Sequence, residues 1–139
     1  MTSTWTQRAG FYVEHLSELG YRPKIDEEND IYFRHEGGHY YILSTDDEQY
    51  VQIAYLNFWP VEGEDDLRRA LLAASVATRN TKVAKVAVRP DLGNMHITAE
   101  VFLARPTDLV DVFERMIGAI QLARTVFVQE LQRSDQDLT

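Results

Sequence analysis

The interval between apolar residues changes four times along this chain, and that order of intervals limits the fold more than any single motif. A helical interval comes first, then a run at every second position, then helix, alternation and helix again. Neither an all-helical bundle nor a β-sandwich accommodates this order. Each apolar helix stripe needs a sheet face to bury against, so the pattern predicts an α+β domain of order α-βββ-α-ββ-α, an antiparallel sheet packed by helices.

The first helix is predicted over Thr4 to Leu19. Thr4 and Gln7 have the form of a capping box, and Trp5, Ala9, Tyr12, Val13, Leu16 and Leu19 form one stripe. Gly20 follows where a left-handed C-cap suits glycine. An extended piece near Arg22 to Glu27 leads to three strands: Ile31 to His35, His39 to Leu43 after the Glu36-Gly37-Gly38 turn, and Tyr50 to Phe58. Pro60 and Gly63 end this meander. A second helix is predicted over Glu64 to Thr78, with Leu67, Ala70, Leu71, Ala74 and Ala77 inward. Strands at Lys82 to Arg89 and Asn94 to Leu103 flank the Pro90-Asp91-Leu92-Gly93 turn. In the latter, Met95, Ile97, Ala99, Val101 and Leu103 alternate with His96, Thr98, Glu100 and Phe102, a half-buried strand. The last helix is predicted over Asp108 to Gln132, capped by Thr107, with Leu109, Phe113, Met116, Ile120, Ala123 and Phe127 as its main stripe. Ile117, Val110, Val126 and Val128 lie off that stripe as surplus apolar surface. Gly118 in its interior costs about 1 kcal/mol relative to Ala and points to a close approach by another element. A polar tail from about residue 133 is expected to fray. One domain spans residues 1–139.

Composition removes several classes of function. There is no cysteine, hence no disulfide framework or thiolate chemistry. Twenty-two Asp plus Glu against 14 Lys plus Arg give a net charge of −8, which repels nucleic-acid phosphate and anionic lipid and suits a basic partner. The acidic clumps (Asp26-Glu27-Glu28, Asp46-Asp47-Glu48, Glu64-Asp65-Asp66) fall at expected turns or a helix start and lack calcium-loop spacing. Met1 to Trp5 shows no basic segment leading into an apolar one, and no apolar run is long enough to cross a bilayer, so a cytoplasmic location is expected.

No catalytic or cofactor-binding fingerprint is present: no nucleophile elbow, P-loop, dinucleotide glycine pattern or zinc-protease helix. His35 and His39 flank the Gly-Gly turn, where two imidazoles across a hairpin could share a metal; no third ligand accompanies them, and rim histidines are the plainer reading. His15 is expected to pair with Glu14, Glu18 or solvent. His96, Thr98 and Glu100 share the outer face of one strand, as any polar strand face would place them, and the spacing alone gives no reason for acid–base chemistry. No enzyme, cofactor or metal is expected.

Several local phrases carry a family likeness: a short helix ending in Leu19-Gly20-Tyr21, an acidic stretch into Ile31-Tyr32-Phe33, a helix ending near Asn80, then two strands and a long helix. Over about Thr4 to Leu131 this resembles the YbjN family, described as bacterial sensory transduction regulators, which shares its fold with type III secretion chaperones of the CesT/Tir type. The resemblance implies a non-enzymatic domain that dimerises and holds extended segments of a client. It also implies that the middle helix contributes to the dimer, placing Leu71, Ala74, Ser75 and Thr78 near a two-fold axis.

The leading expectation is therefore a homodimeric protein- or peptide-binding module, chaperone-like or regulatory. Tyr41, Tyr55, Phe102 and Ile117 are its candidate partner-binding surface, and the client adds to a sheet edge or lies in grooves beside the sheet. A small-ligand binder or enzyme with a pocket between the long helix and the sheet is the alternative, with His96, Glu100 or Tyr55 converging on it. A purely structural subunit is the third.

Overall fold

The computed structural model describes the backbone of residues 3–137 and the side chains of residues 3–135. Helix α1 (Trp5–Glu18) precedes strands β1 (Lys24–Ile25), β2 (Ile31–His35), β3 (Gly38–Ile42) and β4 (Tyr50–Pro60). Helix α2 (Gly63–Asn80), β5 (Ala84–Arg89), β6 (Asn94–Phe102) and helix α3 (Leu109–Asp137) complete the chain. The strands form one antiparallel six-stranded sheet in the order β1-β2-β3-β4-β6-β5. This is the expected α+β order, with the extended piece before β2 becoming a two-residue edge strand.

Local chemistry fixes the ends of the elements. The Gln7 N–H donates to Thr4 Oγ1 at 3.2 Å and the Thr4 N–H to Gln7 Oε1 at 3.0 Å, the reciprocal box that starts α1. At its end the Tyr21 N–H reaches the Leu16 carbonyl across Gly20, whose φ is +97°. The β2–β3 hairpin turns on Glu36 and Gly37, both at positive φ, the geometry that matches the strand twist. In β4 the register slips between Tyr55↔Ile97 and Trp59↔Met95, so residues 56–58 face His96 alone, with Asn57 at φ +56°. This bulge turns both Phe58 and Trp59 onto Phe127 of α3.

One face of the sheet holds the core. Ile31, Phe33, Tyr40, Ile42, Val51 and Ile53 from the first strands join Ala84, Val86, Met95, Ile97 and Ala99 from the last. All three helices bury residues in this same cluster, including Tyr12 and Leu16 of α1 and Phe113, Ile120 and Phe127 of α3. Each such large side chain contributes about 1.5–3 kcal/mol through its removal from water.

Several expectations are corrected. Ile117 is 2% exposed, because α3 packs against both α2 and the sheet and so needs a wider apolar arc than one stripe. In α2 the inward residues are Ala70, Ala73, Ala74 and Ala77, four small side chains on one arc that let the helix approach α3 closely, while Leu71 turns outward. Gly118 is exposed and nothing lies within 4 Å of where its Cβ would be, so no element approaches it. The lead-in to α3 is a 3-10 turn, Pro106–Asp108, in which the Arg105 N–H donates to Asp108 Oδ2 at 3.0 Å. The expected polar tail is helical through Asp137, and an Arg69–Asp135 ion pair ties it to α2; Leu138 and Thr139 lie outside the described residues. His15 is buried and stacked on Phe11, and its Nε2 has no partner.

Candidate functional site

The second face of the sheet is bare. Lys24, Tyr32, Arg34, His39 and Tyr41 project from it at one end, and Lys85, Ala87 and Phe102 at the other; each is exposed or half-buried. Strand alternation places them opposite the core residues, and all three helices bury on the core side. Two aromatic groups stand on this face, about 13 Å apart along β4 judged from the four residue steps from Tyr50 to Ala54.

In the first group Tyr32 and Tyr41 face each other in the β2–β3 register with ring centroids 5.2 Å apart. The Tyr32 hydroxyl shares a 2.6 Å hydrogen bond with His39 Nδ1, and Lys24 Nζ sits 5.5 Å over the Tyr32 ring. In the second, Phe102 is 76% exposed with its ring 5.6 Å from that of Tyr50. Beside them Glu100 accepts hydrogen bonds from the Tyr50 hydroxyl and from Thr98 and pairs with Lys85. Desolvation pushes the Glu100 carboxyl up, but the hydrogen bonds from Lys85 and Tyr50 outweigh it, and the group titrates below the ordinary glutamate value. Burial and its hydrogen bond to that carboxylate push Tyr50 up, so it stays a neutral donor. The cluster is a charge-compensated floor beside an exposed ring, with no free base.

The histidines do not converge. His35 pairs with Gly38 and His39 with Arg34, so the two imidazoles lie on opposite faces of the hairpin. His96 is buried beneath the open face; burial and the nearby Arg89 lower its pKa, and its Nε2 has no partner. Tyr55 points the other way, onto the helix side between Tyr40 and Phe58. His96, Glu100 and Tyr55 therefore form no common pocket. Among the described residues no three His, Asp or Glu side chains gather as metal ligands, and no helix is long and apolar enough to cross a membrane.

The candidate partner residues thus divide: Tyr41 and Phe102 share the open face, Tyr55 is half-buried on the helix side, and Ile117 is core. On α2, Leu71 and Ser75 face solvent while Ala74 is buried behind them. Thr78 is also exposed, but its Oγ1 accepts the Val86 N–H at 2.9 Å, on the side of β5 away from β6. Sequence reasoning missed Leu72, 64% exposed beside Leu71.

It also missed a groove of about 440 Å³ between α3 and the start of β5. Strand β5 begins at Ala84, opposite Ala99, so nothing of it stands beside Val101. The chain reaches β5 through a γ-turn in which the Ala84 N–H bonds the Lys82 carbonyl at 2.7 Å. Val83 at its centre has φ +57°, a strained conformation for a β-branched residue, and is exposed at the groove edge. Val101, Val112, Met116, Ala119 and Leu122 supply the apolar lining around Gly118, with Lys82 and Arg115 beside them. The available signal was Leu122, four residues beyond Gly118 and off the main stripe of α3.

No family model and no curated protein sequence matches the chain. Among solved structures it is similar to a chain of the HopA1–SchA chaperone–effector complex, with a TM-score of 0.60 at 9% identity, over 88% of this chain and 96% of that one. The fold is therefore the type III secretion chaperone-like one expected above.

Proposed function

We propose that this chain is a non-enzymatic binding module, chaperone-like or regulatory, that acts in the cytoplasm as a homodimer and holds segments of a client protein against the open face of its sheet. The observation that carries the reading is that face itself, with Tyr32, Tyr41 and the 76% exposed Phe102 uncovered by any helix. Exposed aromatic rings suit protein contacts, because each brings large apolar area at little cost in side-chain freedom. The likeness to a chain of a chaperone–effector complex supports the same reading.

The dimer contact is assigned to the outward side of α2, where a two-fold axis would bury the exposed Leu71, Leu72 and Ser75. Of the polar groups the small-ligand alternative invoked, Tyr55 alone lines a pocket between α3 and the sheet, with His35, Glu36, Gln121 and Arg124; His96 and Glu100 lie on the other face.

The test combines light scattering on the purified protein with affinity capture from native cytosol, using the wild type, Phe102→Asp and the Leu71→Asp/Leu72→Asp pair. The reading expects a dimer that retains one protein in stoichiometric amount, loss of that protein with Phe102→Asp, and monomers from the paired change. A monomeric wild type that retains no protein refutes it.

A further inference from the structure

We propose that the groove between α3 and the start of β5 seats an amphipathic helix of a partner protein, its apolar side chains crossing α3 at Gly118 and its acidic side chains pairing with Lys82 and Arg115. This rests on the binding-module reading above and adds to it a second contact surface with its own chemistry.

Charge gives the first argument. The chain carries 22 acidic against 14 basic residues, yet this lining holds two cations and no carboxylate. Neither Lys82 nor Arg115 has an ion-pair partner among the described residues. An acidic partner helix satisfies both, and a basic or neutral one leaves them facing apolar surface.

Shape identifies the occupant as a helix. Arg115, Gly118, Ala119 and Leu122 stand at i, i+3, i+4 and i+7, a strip two turns long with its smallest residues at the centre. A helix crossing there packs backbone close to backbone, and the space over Gly118 is empty to 4 Å. An extended partner strand is disfavoured at the neighbouring edge, because the N–H groups of Ala84 and Val86 are already bonded to Lys82 and Thr78. A second copy of α3 would bring Lys82 and Arg115 against the same two cations with no carboxylate in the lining to offset them.

The experiment uses the full chain and two fluorescein-labelled helical peptides with the same leucine face, one flanked by Glu and the other by Lys, followed by anisotropy. Dodecanoate serves as a competitor to detect a small carboxylate site. The expected result is binding of the Glu-flanked peptide, at least tenfold tighter than the Lys-flanked one. Gly118→Leu fills open space, keeps its thermal stability and weakens that binding at least tenfold. The Lys82→Glu/Arg115→Glu pair reverses the peptide preference, and Phe102→Asp leaves it unchanged. The proposal is overturned if neither peptide binds, if both bind alike, if Gly118→Leu binds as the wild type does, or if only dodecanoate occupies the groove. In each of those cases a client still captured through Phe102 keeps the binding-module reading, whereas absence of any client removes that as well.

Discussion

Two glycines 80 residues apart should respond to the same substitution with opposite signs. Gly118 sits in the interior of α3, exposed, with no atom within 4 Å of an added Cβ. Alanine there adds helix propensity without a clash, worth about 1 kcal/mol. For a domain of this size that is an increase in Tm of roughly 3–5 °C. Gly38 opens β3, and a Cβ on it would press into the Tyr55 ring and lie 3.0 Å from Tyr40. The Tyr55 ring is held 4.8 Å from Tyr40 and 5.6 Å from Phe58, so it cannot swing aside freely. Overpacking of this kind costs about 1–3 kcal/mol. Gly118→Ala and Gly38→Ala should therefore differ by roughly 2–4 kcal/mol in urea denaturation, with unchanged m-values. A loss of stability in Gly118→Ala would show that the groove floor is not open, and a neutral Gly38→Ala would show that the Tyr40–Tyr55 contact is loose.

Thr78→Val removes the acceptor of the Val86 N–H at the sheet edge and should cost about 1 kcal/mol in the same denaturation assay. Leu71→Asp with Leu72→Asp should lower stability of the isolated chain by no more than about 1 kcal/mol, since both side chains are largely exposed, and circular dichroism should be unaltered. Burial, with the nearby Arg89, holds the His96 imidazole below the ordinary histidine value, so the unfolded chain takes up a proton that the folded chain refuses. Stability should fall as pH drops through 6.5 toward that lower value, and His96→Phe should flatten this part of the profile in a thermal-melt series. Glu100 acts at lower pH with the same sign: its depressed pKa means that its contribution is present above the ordinary value of 4.5 and is lost as pH falls through the folded value.

The sequence legibly encodes those parts of the fold set by local rules. The capping box at Thr4, the left-handed Gly20, the hairpin at Glu36-Gly37 and the alternation of Met95 to Leu103 each follow from a single residue type at a defined spacing. Features set by packing were hidden. The arc of α3 needed to know that α2 as well as the sheet covers it, which is why Ile117 read as surface. Leu71 and Ala74 are three residues apart and share one stripe in a simple helical projection; only the close approach of α2 to α3 selects alanines for the inside. The groove depends on where β5 begins, and that is decided by a γ-turn at Val83 that no turn-forming residue announces. Of the candidate surface, Phe102 and Tyr41 were readable from strand parity, while Tyr55 followed the opposite parity onto the helix side.

The sealed edge of β5 has a consequence for what kind of partner the protein can tolerate. A sheet that accepts an added strand reads mostly backbone, which every polypeptide shares, and side-chain pockets then supply what selectivity there is. Here the backbone donors of Ala84 and Val86 are spoken for, and an added strand is left the opposite edge, made of β1 and the Phe33–His35 stretch of β2 that β1 does not reach. At the start of β5, recognition must then come through side chains meeting side chains. Such a surface discriminates by sequence, resists templating the chains it meets into β-aggregates, and loses its partner through single substitutions that an edge-pairing binder would absorb.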